Sequence, residues 1–88
     1  MGKVLMKIKV MPEDTDVNLE EIVERVKNIK IKDVEIRDWG IKPIAFGLKA
    51  LIILAILPDR AEIGDVLVEE IQKVEGVGSV EVEDVELL

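Results

Sequence analysis

Leu48 to Leu57 is the segment that most restricts what this chain can fold into. Nine of its ten residues are apolar, and only Lys49 interrupts. A run that short and that continuous fits a strand at the centre of a sheet, buried on much of both faces. Pro58 and Asp59 stop it. The uncharged part, Ala50 to Leu57, is far too short to span a bilayer. Its covering layers have to come from the rest of an 88-residue chain, enough for about one small domain over residues 1–88.

The remaining segments read as those covers. Lys3 to Met11 alternates Val4, Met6, Ile8 and Val10 with Lys3, Leu5, Lys7 and Lys9, the period of a strand with one apolar and one largely basic face. Pro12 ends it, and Glu13 to Asp16 reads as a loop. A helix then starts at Asn18 as cap, with Glu21 at its third position and Val17 placed to staple onto Ile22. Leu19, Ile22, Val23, Val26 and Ile29 recur at helical spacing. Asp33 to Ile41 reads as a second strand, loosened at Gly40. A second helix is expected from Asp65, with Leu67, Val68, Ile71 and Val74 as its stripe and Gly76 as its stop. Ser79 to about Val85 alternates again and reads as a last strand.

Strand, helix, strand, strand, helix, strand predicts an α+β chain: a ferredoxin-like βαββαβ sandwich with a four-stranded antiparallel sheet and two helices on one face. The first and third strands are expected at the centre, and the other face is expected to be open. If Ile52, Leu54 and Ile56 point at the helices, then Lys49, Leu51, Ile53, Ala55 and Leu57 line that open face. An exposed apolar strip of that kind either binds something or is covered by self-association or lysine stems.

Composition removes whole classes of function. The chain has no Cys and no His, so thiolate or imidazole nucleophiles, disulfides and zinc sites are excluded. A net charge of −7 argues against general nucleic-acid binding. There is no P-loop and no dinucleotide fingerprint. The many carboxylates lack EF-hand spacing and read as a solvated face, so neither a cofactor nor a metal is expected. No signal-peptide core opens the chain, and a cytoplasmic protein without membrane contact is expected. Few Asn and Gln with many charges fit either a thermophile or chance in a short chain. The charge is also uneven: ten basic and nine acidic residues lie up to Lys49, and two and ten beyond it.

Two aromatics are present, Trp39 and Phe46. Phe46 stands beside Gly47 at the mouth of the apolar strand, where a lone Phe either plugs the end of a small core or anchors a partner. Pro43-Ile44-Ala45-Phe46-Gly47-Leu48-Lys49-Ala50-Leu51, together with Val10-Met11-Pro12-Glu13-Asp14-Thr15-Asp16-Val17-Asn18-Leu19, resembles the archaeal translation elongation factor 1-beta family along essentially the whole chain. The resemblance implies the sandwich fold and a guanine-nucleotide exchange factor, not an enzyme. Its implied partner is the GTPase elongation factor 1-alpha, in GDP-bound and nucleotide-free states, with no direct nucleic acid or membrane.

By the same resemblance Phe46, Gly47, Leu48 and Lys49 contact the GTPase, with Phe46 as the aromatic contact. Eukaryotic relatives carry a basic residue just before a final aliphatic, which reaches the magnesium site. Here Leu87 and Leu88 occupy those positions, Ser79 matches and Glu81 replaces an Asp. The C-terminal contact is therefore expected at Leu87 and Leu88 without a charged finger. The alternative on the same fold is a small regulatory or ligand-binding domain that self-associates through its sheet, with an anion held where the second helix starts beside Gly64.

Overall fold

The computed structural model describes residues 2–88. Its elements are β1 (Lys3–Pro12), α1 (Leu19–Lys27), β2 (Glu35–Pro43), β3 (Lys49–Pro58), α2 (Ala61–Gln72) and β4 (Val77–Leu87). The strands form one antiparallel sheet in the order β2-β3-β1-β4, so the first and third strands are indeed the central pair. Both helices pack on one face, the ferredoxin-like arrangement.

The core forms where β1 and β3 put their apolar sides under the helices. Val4, Met6, Ile8 and Val10 stand opposite Leu57, Ala55, Ile53 and Leu51. All eight are buried, with Leu19, Ile22, Val23 and Val26 of α1 and Leu67 and Ile71 of α2 above them. The faces of β3 are therefore the reverse of the expectation. Leu51, Ile53, Ala55 and Leu57 point at the helices, and Ile52, Leu54 and Ile56 lie on the open side, only partly exposed. A run that is apolar on both faces has no alternation to say which side is inside. The register against β1, whose alternation is unambiguous, decides it.

Two bulges keep the outer strands in phase with that core. In β4 the partner of Lys7 is Asp84 and the partner of Ile8 is Val82, so Glu83 is an extra residue. Val80 and Val82 before the bulge, and Val85 and Leu87 after it, thereby share the helix face. In β2 the step from Ile36 to Asp38 skips Arg37 and does the same for Ile36, Trp39 and Ile41. The open face is left with Glu81, Asp84 and Glu86 on one edge strand, Lys7 and Lys9 beside them, and the aliphatics of β3 next.

Element ends differ from expectation where backbone geometry outweighs side-chain signals. Asp33 has φ +67° and sits in a turn, so β2 starts at Glu35 and runs through Gly40 to Pro43. β4 is longer than expected at both ends, because β1 offers ten residues to pair with. The Asn18 side chain caps α1 by accepting from the Glu20 N–H at 2.9 Å. α2 starts at Ala61 and not at Asp65. The Arg60 carbonyl accepts from the Ile63 and Gly64 N–H groups and opens the helix without a side-chain cap. Gly64 is thus inside α2 and buried against Met6 and Leu57, so the anion site expected at a helix start there does not exist. Gly76 lies beyond the end of α2, in the turn to β4. Its φ is +94°, and an added Cβ would sit 3.0 Å from Val17 Cγ1, so the turn requires glycine on both counts.

Two outcomes test this core. Ile53→Ala is expected to cost about 3 kcal/mol, and Leu54→Ala, from the open face, less than about 1.5 kcal/mol, in urea unfolding. Equal losses would contradict the face assignment. Gly76→Ala is expected to lower stability by about 1–2 kcal/mol, read as a lower thermal midpoint.

Candidate functional site

Five residues, Ile44 to Leu48, close the β2–β3 hairpin. The Ile44 N–H donates to the Leu48 carbonyl at 2.8 Å, and the Leu48 N–H donates back to Ala45 at 3.2 Å. Between them Phe46 and Gly47 both have positive φ, +59° and +77°. Two successive residues at positive φ are the signature of a type I′ turn, whose twist suits a tight hairpin. Gly47 adopts that backbone freely. Phe46 does not: an L-residue there carries roughly 1–2 kcal/mol of backbone strain.

The strained residue is also the most exposed large apolar one, since Phe46 is 97% accessible. Of the two readings open from the sequence, the core plug is therefore excluded. A rigid turn holds the aromatic ring outside the fold, with nothing of the chain's own to bury it. Fully burying a Phe side chain is worth about 1.5–3 kcal/mol, a gain this ring does not take from its own fold.

Around the tip lie the other residues of the two sequence blocks. A groove of about 300 Å³ separates the hairpin from the start of α1, lined among others by Pro12, Val17, Asn18, Leu19, Gly47 and Lys49. The blocks are some thirty residues apart in the chain and meet here because β1 and β3 are neighbours and antiparallel. Lys49 opens β3 on the helix side of the sheet and makes no ion pair within 4.0 Å among the described residues. Leu48 is half-buried at the base of the turn, where its backbone bonds hold the hairpin closed.

Leu87 and Leu88 are not part of this cluster. Leu87 pairs with Val4, and the Leu88 N–H donates to the Lys3 carbonyl, which places both at the opposite end of the sheet. They are 72% and 63% exposed. With β4 eleven residues long, roughly 33 Å of strand separates the two expected contacts, in a molecule 42 Å along its longest axis. Trp39 is 41% exposed on the edge strand β2. Its neighbour on the same face, Ile41, is 38% exposed, a placement that the bulge at Arg37 creates and periodicity alone does not reveal.

Among the described residues no polar or charged side chain is buried, and no three carboxylates converge as metal ligands would. Among them, too, no helix is long and apolar enough to cross a membrane.

Known proteins place this arrangement. The backbone is similar to the crystal structure of the ACT domain of GTP pyrophosphokinase from Chlorobium tepidum, with a TM-score of 0.64 over 91% of this chain and 97% of that one. At 21% identity that likeness shows the fold alone. The sequence is 60% identical to Elongation factor 1-beta of Archaeoglobus fulgidus over the full length of both chains. It is 44% identical to Elongation factor 1-beta of Staphylothermus marinus over 97% of this chain and 96% of that one. Residues 5–88 match the model of the EF-1 guanine nucleotide exchange domain. The chain belongs to this family of exchange factors of translation elongation.

Proposed function

We propose that residues 1–88 act as one exchange domain on elongation factor 1-alpha, binding its GDP-bound form and holding its nucleotide-free form more tightly. The observation that carries this reading is Phe46, an aromatic ring 97% exposed at positive φ on a closed turn. Folding pays strain to keep that ring out of the core, and a partner's pocket is where the strain is returned.

Exchange then needs no bond made or broken by this chain. A factor that prefers the nucleotide-free GTPase weakens nucleotide binding by the same free energy, because coupling between two ligands is reciprocal. A thousandfold loss of GDP affinity corresponds to about 4 kcal/mol of differential contact, within reach of one anchored aromatic and a few polar contacts. Phe46 is the anchor, Gly47 and Leu48 hold the turn that aims it, and Lys49 supplies a cation beside it. Leu87 and Leu88 form a second, apolar contact at the far end, so the GTPase lies along the length of the domain. The factor works in the cytoplasm, with no direct nucleic-acid contact.

The assay is release of fluorescent GDP from archaeal elongation factor 1-alpha in excess unlabelled nucleotide. This chain at stoichiometric concentration is expected to accelerate release, and an unchanged rate would overturn the reading. Phe46→Gly separates function from folding. It is expected to leave the thermal midpoint unchanged or raised, since glycine relieves the strain, while reducing the acceleration at least tenfold. Leu87→Lys places a cation at the far contact and is expected to increase the acceleration. A rate unaltered by either substitution would remove these residues from the site.

A further inference from the structure

A furrow runs along the helix side of the sheet between α1 and β2. α1 is nine residues long and packs over β3 and β2, where Val23, Val26 and Lys27 lie beside Ile36, Trp39, Leu51 and Ile53, yet it leaves Trp39 and Ile41 of β2 partly bare. At the hairpin end the furrow is the groove between Ile41, Gly47 and Lys49 on one wall and Asn18 to Glu20 on the other. Halfway along it closes, with Trp39 lying beside Val23, Val26 and Lys27 and leaving no room for a water. Beyond Ile36 it widens again to about 460 Å³, under the connection from α1 to β2.

That far end has an unusual charge for a chain of net −7. Lys27, Lys30 and Lys32 line it with Ile29, Ile31 and Val34, and no acidic residue does. Lys27 has Glu24 at 3.8 Å. Lys30 and Lys32 have no carboxylate within 4.0 Å among the described residues. An apolar floor under unpaired ammonium groups is complementary to a segment that is aliphatic along one side and acidic at one end.

The proposed contact at Phe46 needs such an extension. One aromatic ring buries about 150–250 Å². A stable complex buries about 800 Å² on each partner. Of the nine large apolar residues exposed among the described residues, Trp39, Ile41, Ile44 and Phe46 fall within eight consecutive positions and lead from the tip into the furrow.

We infer that the furrow between α1 and β2 is the main docking surface for elongation factor 1-alpha, taking an acidic, aliphatic segment of the GTPase whose carboxylates meet Lys30 and Lys32. This rests on the exchange reading above and adds to it where the partner lies and what chemistry it presents. The open sheet face, although it also carries lysines, is left free.

The test is the affinity of this chain for archaeal elongation factor 1-alpha at low salt. Lys30→Gln with Lys32→Gln is expected to weaken binding about fivefold or more and to flatten its salt dependence. Lys7→Gln with Lys9→Gln, which removes the same charge from the open face, is expected to leave affinity unchanged. The indole N–H of Trp39, the only one in the chain, is expected to shift in NMR spectra when the GTPase is added. If Phe46→Gly weakens binding while the Lys30 and Lys32 pair does not, or if the Trp39 signal stays still, the furrow is not the surface and the exchange reading stands. A larger loss from the Lys7 and Lys9 pair would move the partner to the open face. If the unaltered chain neither binds nor accelerates release, the exchange reading itself fails and the furrow with it.

Discussion

The pairing of β1 with β3 governs the rest of the structure. It sets Val4, Met6, Ile8 and Val10 against Leu57, Ala55, Ile53 and Leu51 under the two helices. A slip of one residue would turn Ile52, Leu54 and Ile56 inward and carry the apolar core of β3 to the open side. Everything outside the pair adjusts to it. Both edge strands spend a bulge to bring their aliphatics back into phase, at Glu83 in β4 and at Arg37 in β2. The antiparallel order then brings the β2–β3 hairpin and the start of α1 to the same end of the molecule, and with them the two segments of sequence that carry the family resemblance.

Exposure on this molecule follows from what two short helices can cover. α1 packs over β3 and β2 and α2 over β4 and β3, and each leaves outer side chains of its edge strand partly bare. Apart from Val66 on α2, the large exposed apolar residues therefore lie on β2 with its hairpin and on β4 with the residue after it. Charge divides the two edges. β4 carries Glu81, Glu83, Asp84 and Glu86, which discourage another strand from adding there. The β2 side carries Trp39, Ile41 and Phe46 and ends at three lysines. The acidic edge discourages strand addition, and the β2 edge is where exposed aromatic and aliphatic side chains meet lysines. The surface ion pairs do not alter this balance. The four among the described residues are exposed, at 3.1 to 3.8 Å, and each is worth at most about 1 kcal/mol.

Much of this was legible beforehand, and the failures have physical causes. The alternation in Lys3–Val10 and the spacing from Leu19 to Val26 each carry a period, so the inward faces of β1 and α1 were correctly read. β3 carries none, being apolar throughout, and its faces were read backwards. α2 was started too late because its first turn has no side-chain cap for a sequence reading to find. An aromatic beside a glycine fits both core and surface, so the sequence leaves Phe46 open between them. The exposure of Trp39 depends on the bulge at Arg37, which the residue pattern of the strand does not show.

The order of elements, the central place of the third strand and the absence of thiol and imidazole chemistry were determined by the sequence alone, because they follow from local periodicity and from which residue types are present. Three things were decided only by the tertiary structure. The inward side of β3 depends on its register with β1. The exposure of Phe46 depends on a turn whose two central residues both take positive φ. The joining of Lys49 to the start of α1, and of Trp39 to the lysines beyond it, depends on antiparallel strands bringing distant segments together. In each case the deciding interaction lies between residues far apart in the chain, and a local pattern does not contain it.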